Sequence, residues 1–342
     1  KCTIQNIADH LGLSRNTVSK ALKNSSEVSE NTRNLVIKTA SKLGYKNATF
    51  ATPVIPASET GSNGTILFLT RTYASDSEFW TTVLRGIESI LSNANYHLAI
   101  SIMSDSDLKQ LNFPQTISDS SIKGIILVEI CDKVVCDALS QFNLPIVSVD
   151  MPNVPFEELN GIDVVTMESK KNLKKIINQL IEKGAESFGF VGDLYSPNVS
   201  RGFQERYNAL SECLAEHQLP LNQKNCLLHQ TPEDFRNFQT TVNNLQAMIS
   251  LPDVFICGND WTAIQLIYAL QFLGFQIPKD ICVVGFDNIP AASRISPSLT
   301  TISTPQKYLG IAAARQILER IQHPNCPHVF CQYETELIIR NS

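Results

Sequence analysis

The chain of 342 residues is 43% hydrophobic and carries 28 Lys and Arg against 33 Asp and Glu, a net charge of −5. This length predicts about two or three domains, and the lack of an apolar run of roughly 18 residues excludes a membrane-spanning helix. The nine cysteines are scattered and include no C-x-x-C pair, which predicts reduced cytoplasmic thiols and argues against disulfides and a zinc site.

Residues 3–45 contain three short helical patterns in close succession. Apolar residues recur on one face of the first pattern at the spacing of an amphipathic helix: Ile4, Ile7, Ala8 and Leu11. Gly12 permits a tight turn, and Ser14 is placed to cap a second helix. These features predict a helix-turn-helix.

The second and third helices of this motif should each bury one face. In the second helix the inward positions are Val18, Ala21 and Leu22, and the outward positions are Arg15, Asn16, Ser19 and Lys20. Ser29 is placed to cap the third helix. That helix should bury Val36, Ala40 and Leu43 and end at Gly44.

The first 50 residues are basic although the whole chain is acidic. They contain eight Lys and Arg against three acids, a balance of +5, so the rest of the chain carries −10. Basic side chains that neutralise phosphates release condensed counterions, which favours a polyanionic partner. Motif and charge together predict binding to DNA. The alternative is an ordinary three-helix unit that binds nothing.

The stretches TIQNIADHLGLSRNTVSKALKN, VSENTR and LGY resemble the DNA-binding domain of the LacI/GalR family of bacterial transcription regulators. The resemblance implies that the second helix enters the major groove. Arg15 would then pair with guanine, Asn16 with adenine, and Lys20 with either a guanine edge or a phosphate. The full set of DNA contacts expected in this domain is Thr3, Ser14, Arg15, Asn16, Thr17, Ser19 and Lys20.

Residues 47–63 are rich in Pro, Ser, Thr, Gly and Asn, which predicts a linker between a domain at 1–46 and a body at 64–342. In the LacI/GalR family this region usually reads P-N-x-x-A-R-x-L and forms a hinge helix that wedges an apolar side chain into the minor groove.

This chain departs from the hinge pattern. Thr52 and Pro53 replace the usual Arg and its neighbour, and Val54 stands at the wedge position. A helix beginning at Asn47 would end before Pro53. Either Val54 or Phe50 then enters the minor groove, or the segment is a plain flexible tether.

From Gly64 onward, apolar runs such as TILFLT, GIILV and PIVSV alternate with helical patterns, and the alternation restarts near Val164. It predicts an α/β, periplasmic-binding-protein-like body of two doubly wound parallel-sheet lobes, because one sheet of so many strands would be unusually wide. The expected N-lobe spans about 64–162 and 290–320, and the expected C-lobe about 163–289 and 321–342.

Polar residues end several of the predicted strands: Asp150, Asp193, Asn259, Asp260 and Asp287. Ligands of open α/β sheets bind beyond the carboxyl ends of the strands. Each of these residues alone is also suited to capping a helix or turn. Their repetition at equivalent positions in two facing lobes favours a ligand site.

The resemblance to the LacI/GalR family extends to residues 258–318, which begin GNDWTAIQLIYAL. It implies effector contacts at Asp150, Arg206, Asn259 and Asp287. Arg206 follows from aligning ERYNALSECL with the family's R-x-x-G-F-x-x-A-L, although Ala209 and Leu210 replace the usual Gly and aromatic residue. Arg201 is the alternative if this register is wrong.

Carboxylates, an amide and a guanidinium suit a sugar, because each hydroxyl both donates and accepts hydrogen bonds. Phe79, Trp80 and Trp261 supply apolar surface for a sugar ring, although Phe79 and Trp80 equally fit core packing. A sugar phosphate needs further positive charge, for which Arg71 is the candidate.

The sequence therefore predicts a cytoplasmic repressor that binds pseudo-palindromic double-stranded operator DNA as a homodimer and responds to a sugar or sugar phosphate. The helix over residues 79–94 is one candidate interface of the dimer. No cofactor, metal or membrane is expected, and neither induction nor co-repression is favoured.

Three alternatives remain. A phosphorylated protein partner would replace the sugar in a regulator of the same class. A solute-binding protein of a transporter would need a signal peptide and would lack the basic domain. An enzyme is disfavoured because the chain lacks G-x-S-x-G, a G-x-G-x-x-G after a strand, and a P-loop.

Overall fold

The computed structural model describes residues 3–22, 28–29, 32–33, 35–36, 39–40, 62–71, 77–194, 200–229 and 237–342. The chain divides into two compact units, Lys1–Gly61 and Ser62–Ser342.

The first unit contains the predicted helix-turn-helix, with α1 at Ile4–Leu11 and α2 at Arg15–Leu22. Thr3 caps α1 in a capping box with Asn6. Gly12 ends α1 with a left-handed φ of 63°, which glycine adopts without strain. The Ser14 Oγ accepts a hydrogen bond from the Thr17 amide at 3.0 Å, as expected of a cap.

A small apolar core lies inside this unit, and its described members are Ile7, Ala8, Val18, Ala21, Val28, Val36 and Ala40. The predicted third helix is confirmed where it is described. The backbone is helical at 32–33, 35–36 and 39–40, and the Ser29 Oγ accepts from the Thr32 amide at 3.3 Å. Leu43, Gly44 and the hinge positions, including Val54, lie outside the described residues.

The second unit alternates strands and helices. Its first elements are β1 (Thr65–Arg71), α3 (Glu78–Asn93), β2 (His97–Met103), α4 (Asp105–Gln110), β3 (Ile122–Val128), α5 (Lys133–Ser140), β4 (Ile146–Val149) and β5 (Ile162–Met167). The next are α6 (Lys171–Glu182), β6 (Phe188–Asp193), α7 (Arg201–Glu216), β7 (Leu227–His229), α8 (Phe238–Ala247), β8 (Val254–Cys257), α9 (Asp260–Phe272) and β9 (Cys282–Asp287). The last are β10 (Thr300–Ser303), α10 (Gln306–Gln322), β11 (Phe330–Tyr333) and β12 (Glu336–Ile338).

These strands form two sheets, each the centre of one lobe. The first sheet has the order β11-β5-β4-β3-β1-β2, and the second has the order β12-β10-β9-β8-β6-β7. All pairs are parallel except β12, which runs antiparallel to β10. The strands read as continuous apolar runs because helices cover both faces of each sheet. The two predicted parallel-sheet lobes are confirmed.

The expected lobe boundaries are wrong at three strands. β5 lies in the first sheet although most of it was assigned to the C-lobe. β10 was assigned to the N-lobe, yet Thr301 pairs with Gly285 in the second sheet. β11 was assigned to the C-lobe, yet Phe330 pairs with Val164 in the first sheet. The chain thus crosses between lobes after β5, β10 and β11, because distant pairing partners decide where such short strands lie.

Two helices of the first lobe cross in close backbone contact. A Cβ atom on Gly310 of α10 would lie 2.0 Å from the Val83 carbonyl oxygen of α3, and one on Gly86 would lie 2.3 Å from the Lys307 carbonyl oxygen. Only glycine allows this approach. The crossing therefore fixes α3, whose N-terminal turn carries Phe79 and Trp80. In the described part of the chain, no helix is both long and apolar enough to span a bilayer.

Candidate ligand site and DNA-reading helix

A cavity of about 590 Å³ lies between the two lobes, beyond the carboxyl ends of both sheets. All seven residues expected to contact an effector line it: Arg71, Phe79, Asp150, Arg206, Asn259, Trp261 and Asp287. The structure thus brings together the side chains that the sequence selected from both lobes. Their contact with a ligand stays a prediction.

Arg206 projects from α7 into this cavity and is only 3% exposed. Its guanidinium stacks on the Phe286 ring at 3.7 Å from the centroid, and its Nη1 donates to the Gly258 carbonyl at 2.6 Å. Burial lowers the pKa of Arg206, whereas the charges of Asp287 and Asp150 oppose that shift. Its Nε is buried and has no hydrogen-bond partner.

Arg201, the alternative to Arg206, has a different environment. Its Nε donates to Glu205 at 2.8 Å, its guanidinium lies 5.4 Å from the centroid of the Phe330 ring, and it does not line the cavity. The position in the fold therefore favours Arg206.

Asp150 and Asp287 follow or end parallel strands on opposite sides of the cavity. Both have positive φ, 78° and 122° respectively, a conformation that costs energy in non-glycine residues and is concentrated at functional sites. Burial raises the pKa of Asp150, although hydrogen bonds from Ser200 and Met151 lower it. Burial raises the pKa of Asp287 well above its usual value, against the charge of Arg206. Burial therefore disfavours the ionised form of both carboxylates, and additional hydrogen-bond donors on a ligand would stabilise that form.

Asp150 also connects the lobes directly. Its Oδ2 accepts a hydrogen bond from the Oγ of Ser200, the N-cap of α7, at 2.6 Å. The backbone adds a second link, since the Arg201 amide donates to the Met151 carbonyl at 3.0 Å. The carboxylate from one lobe thus touches the helix that carries Arg206 in the other.

The adjacent residues Asn259 and Asp260 have separate roles. Asn259 caps α9, with its Oδ1 accepting from the Thr262 amide at 2.8 Å, and it also lines the cavity. Asp260 points into the protein, where it accepts from the Thr301 hydroxyl at 2.5 Å and the Ile289 amide at 2.9 Å. Burial raises the pKa of Asp260 to about 6. Asp260 therefore ties α9 to β10, whereas Asn259 faces the ligand site.

Arg71 and the aromatic residues form the wall of the first lobe. Arg71 is buried, and its Nη2 donates to Asp105 at 2.9 Å, so part of its charge is already balanced. The Phe79 and Trp80 rings meet edge to face at 4.6 Å between centroids. Both rings line the cavity and also pack against the core. Their position fits both roles that the sequence left open, a surface for a sugar ring and core packing. Trp261, across the cavity, is 39% exposed.

Three further carboxylates, those of Glu78, Glu129 and Asp193, line the cavity and were not among the expected contacts. Asp193 ends β6 and had been noted only as a strand-end residue. Glu129 directly follows β3, with a φ of 58°, and its Oε2 is inaccessible and lacks a hydrogen-bond partner. Burial raises the pKa of Glu129 to about 7, against the charge of Arg71. In the sequence, the position of Glu129 directly after the apolar run GIILV is the signal that could have identified it as a cavity residue.

On α2, Arg15 and Asn16 are exposed, whereas Thr17, Ser19 and Lys20 are half-buried. The Thr17 and Ser14 hydroxyls lie 2.8 Å apart, which orders the first turn. Arg15 and Asn16 therefore project from an ordered helix start, as base-reading residues must.

Residues 3–47 match the model of the bacterial regulatory proteins of the lacI family, and residues 177–342 match that of the periplasmic binding protein-like domain. The chain therefore combines a LacI-family DNA-binding domain with a periplasmic binding protein-like domain. This confirms the resemblance carried by the headpiece motifs, and the protein is a DNA-binding transcription regulator with an effector-binding domain.

Known relatives share its full length. The regulator is 27% identical to the ribose operon repressor of Haemophilus influenzae, over 99% of this chain and 98% of the relative. Its fold matches the transcriptional regulator CelR in complex with cellobiose, with a TM-score of 0.70, 19% identity and 100% of both chains covered. It also matches the Lac repressor dimer bound to operator and the anti-inducer ONPF, with a TM-score of 0.67, 20% identity and coverage of 99% and 98%.

Proposed function

We propose that this regulator is a repressor that binds a pseudo-palindromic operator as a homodimer, and that a small carbohydrate bound between its lobes changes its affinity for the operator. The observation that carries the proposal is the cavity itself. Asp150 from one lobe faces Arg206, Asn259 and Asp287 from the other, so acceptors and donors surround the same space. A sugar hydroxyl, which both donates and accepts, needs this combination.

The link between Asp150 and Ser200 supports a mechanism of control. A ligand held by both lobes is bound fully only when they are as close as this 2.6 Å hydrogen bond requires. Such a ligand distinguishes the closed arrangement from an open one, and only this differential affinity allows it to shift the equilibrium. The separation of the lobes is therefore the variable that the effector controls.

The exposed start of α2 supports DNA reading by Arg15 and Asn16, with Lys20 one turn further along. One helix-turn-helix reads a half-site, so a pseudo-palindrome requires two copies of the chain. The Lac repressor, which shares this fold, is described as a dimer bound to operator.

A closed titration cycle tests the proposal. Operator fragments are selected from random DNA with the purified full chain, and mono- and disaccharides with their phosphates are screened by thermal shift. At about 100 times its dissociation constant, a true effector adds roughly 2.7 kcal/mol of stability. Sugar affinity is then measured with and without operator, and operator affinity with and without sugar.

The two factors must be equal, because coupling between two sites is reciprocal. Unequal factors would refute a single two-state linkage. A screen without any stabilising sugar would refute the carbohydrate effector and turn attention to a phosphorylated protein partner.

A further inference from the structure

The crossing of the chain between the lobes after β10 is hydrogen-bonded to the ligand cavity. The chain leaves the second sheet at Thr304 and begins α10 at Gln306, and α10 packs on α3, β3, β4 and β5 of the first lobe. Both side chains are buried. The Thr304 Oγ1 donates to the Asp287 carbonyl at 3.1 Å, and the Gln306 Nε2 donates to the same carbonyl at 2.7 Å. The crossing thus holds a residue that lines the cavity.

The other two crossings are bonded to each other through Glu168. The Glu168 amide donates to the Tyr333 carbonyl at 2.8 Å, and the Thr335 hydroxyl donates to the Glu168 Oε2 at 3.4 Å. The crossing after β10, in contrast, is bonded to Asp287, an expected effector contact. It is therefore the place where movement of the lobes can act on the ligand site.

The backbone of Asp287 needs support from its surroundings. Its φ of 122° is unfavourable for a residue other than glycine and persists only where neighbouring groups fix it. The next residue, Asn288, is fixed through its side chain, which donates to the Ser303 Oγ at 3.1 Å and accepts from the Arg340 Nη2 at 2.7 Å. Asp287 itself is fixed through its carbonyl, whereas its carboxylate lies at the cavity.

We propose that Thr304 and Gln306 are positioning residues of the effector site: by holding the Asp287 carbonyl, they fix the carboxylate that contacts the effector and link it to α10 in the first lobe. This inference rests on the proposed function and concerns the regulation of the same cavity. Without the two side-chain donors, the buried carbonyl would keep only the long bond from the Thr304 amide, at 3.4 Å. A buried acceptor that loses its donors is unfavourable, so Asp287 would leave its present conformation.

The link to the first lobe continues through α10. Gln306 is the first residue of this helix, so a displacement of the Asp287 backbone acts on the helix as a whole. The close contact between Gly310 and Val83 fixes α10 to α3, and α3 carries Phe79 at the cavity. A ligand shifts an equilibrium only by its different affinity for the two states. The link allows the contact with Asp287 to contribute to that difference.

The alternative is that these hydrogen bonds only stabilise the fold. Their removal would then lower the free energy of unfolding, as the loss of any buried hydrogen bond does, and leave the folded cavity unchanged. Gln316 on the same helix supplies the matched control. Its Nε2 donates to Asp163 at 3.1 Å, so Gln316→Met removes a side-chain bond of the same kind outside the cavity lining.

Hydrogen exchange of the ligand-free, full-length protein tests the positioning. Thr304→Val and Gln306→Met remove a donor and change the shape of the side chain little. The amides of residues 286–290 should exchange at least about twofold faster in each variant, because one neutral hydrogen bond is lost. Thr304→Ser keeps the hydroxyl and should exchange as the wild type does, and Gln316→Met should leave this segment unchanged.

Fluorescence titration tests the effect on binding, because both tryptophans of the chain, Trp80 and Trp261, line the cavity. The probes are D-ribose, cellobiose and glucose 6-phosphate. A probe that binds the wild type should bind Thr304→Val and Gln306→Met about two- to tenfold more weakly, and it should change their operator affinity by a smaller factor. Thr304→Ser and Gln316→Met should match the wild type in both measurements.

Each outcome decides the matter. Unchanged exchange and unchanged probe affinity in Thr304→Val and Gln306→Met would overturn this inference. Equal effects in Gln316→Met, or a loss in Thr304→Ser as large as in Thr304→Val, would also overturn it. Weaker binding with an undiminished effect on operator affinity would overturn the link to the first lobe. If the wild type binds no probe, the carbohydrate effector loses its support, whereas the exchange rates still decide the positioning of Asp287.

Discussion

Arg320 on α10 holds the carboxylate of Asp163 on β5 through two hydrogen bonds, Nε to Oδ2 at 3.0 Å and Nη2 to Oδ1 at 2.8 Å. The Arg320 side chain is 5% exposed and that of Asp163 is inaccessible. The Val329 amide also donates to Asp163 at 2.8 Å, just before β11 pairs with β5. The pair therefore anchors the segment that leads into β11, one of the three strands that the sequence assigned to the wrong lobe.

Asp163→Asn should destabilise the protein by roughly 3 to 5 kcal/mol at pH 7, because Arg320 would be left buried without its counter-charge. Urea denaturation measures the loss. The matched control is Glu334→Gln, which breaks the ion pair with Lys171, whose side chains are 68% and 72% exposed. That change should cost at most about 1 kcal/mol. Equal losses in the two variants would contradict the role of the buried pair.

The pair of Asp163 and Arg320 also determines how the stability of the protein changes with pH. Burial alone would raise the pKa of Asp163, but hydrogen bonds from Arg320 and the Val329 amide hold it below its usual value. A carboxyl group with a depressed pKa in the folded state stabilises the fold above its unfolded pKa and loses that contribution as the pH falls. The difference between wild type and Asp163→Asn should therefore shrink below about pH 4. A difference that grows there would contradict this assignment.

Gly310→Ala should destabilise the regulator by about 1 to 3 kcal/mol, because the new methyl group would meet the Val83 carbonyl and force α3 away from α10. Sugar affinity should fall as well, since α3 carries Phe79 at the cavity. Thermal unfolding and calorimetry measure the two effects. Arg315→Ala, on the exposed side of α10, should leave both unchanged, and a tolerated Gly310→Ala would show that the helices move apart at little cost.

The features that the sequence predicted correctly are those that depend on residues close together in the chain. Gly12 and Ser14 shape the helix-turn-helix through contacts within a few residues, and Asp150 and Asp287 stand where apolar runs end. The lobe of β10 depends instead on pairing between Thr301 and Gly285, residues whose order in the sheet no local pattern encodes. Glu129 was missed for a different reason, because a carboxylate after a short strand reads as an ordinary surface turn, and only the folded structure places it in the lining of the cavity.

Arg206→Met should abolish most effector binding, with a loss of at least about tenfold for one charge-assisted contact. It should also make stability more sensitive to pH. Without the guanidinium, the pKa values of Asp150 and Asp287, already raised by burial, rise further. An acid whose folded pKa is raised costs stability as the pH increases through that value, so the variant should lose more stability at pH 8 than at pH 5.

Arg201→Met is the matched control for this substitution. It removes the ion pair with Glu205 outside the cavity and should leave effector affinity and the pH profile close to those of the wild type. If Arg201→Met lost the ligand and Arg206→Met kept it, the alternative alignment would be correct.

Arg15→Ala should relax sequence preference at one base pair of each half-site, at a cost of about 1 to 3 kcal/mol against the preferred base, because a bidentate contact to guanine would be lost. Asn16→Ala should do the same at a different base pair. Competition binding with every single-base variant of the operator maps both effects. Lys109→Ala, which removes an exposed charge from the effector-binding unit, is the control for net charge. Unaltered base preference in Arg15→Ala would remove Arg15 from the reading surface and leave phosphate contact as its remaining role on DNA.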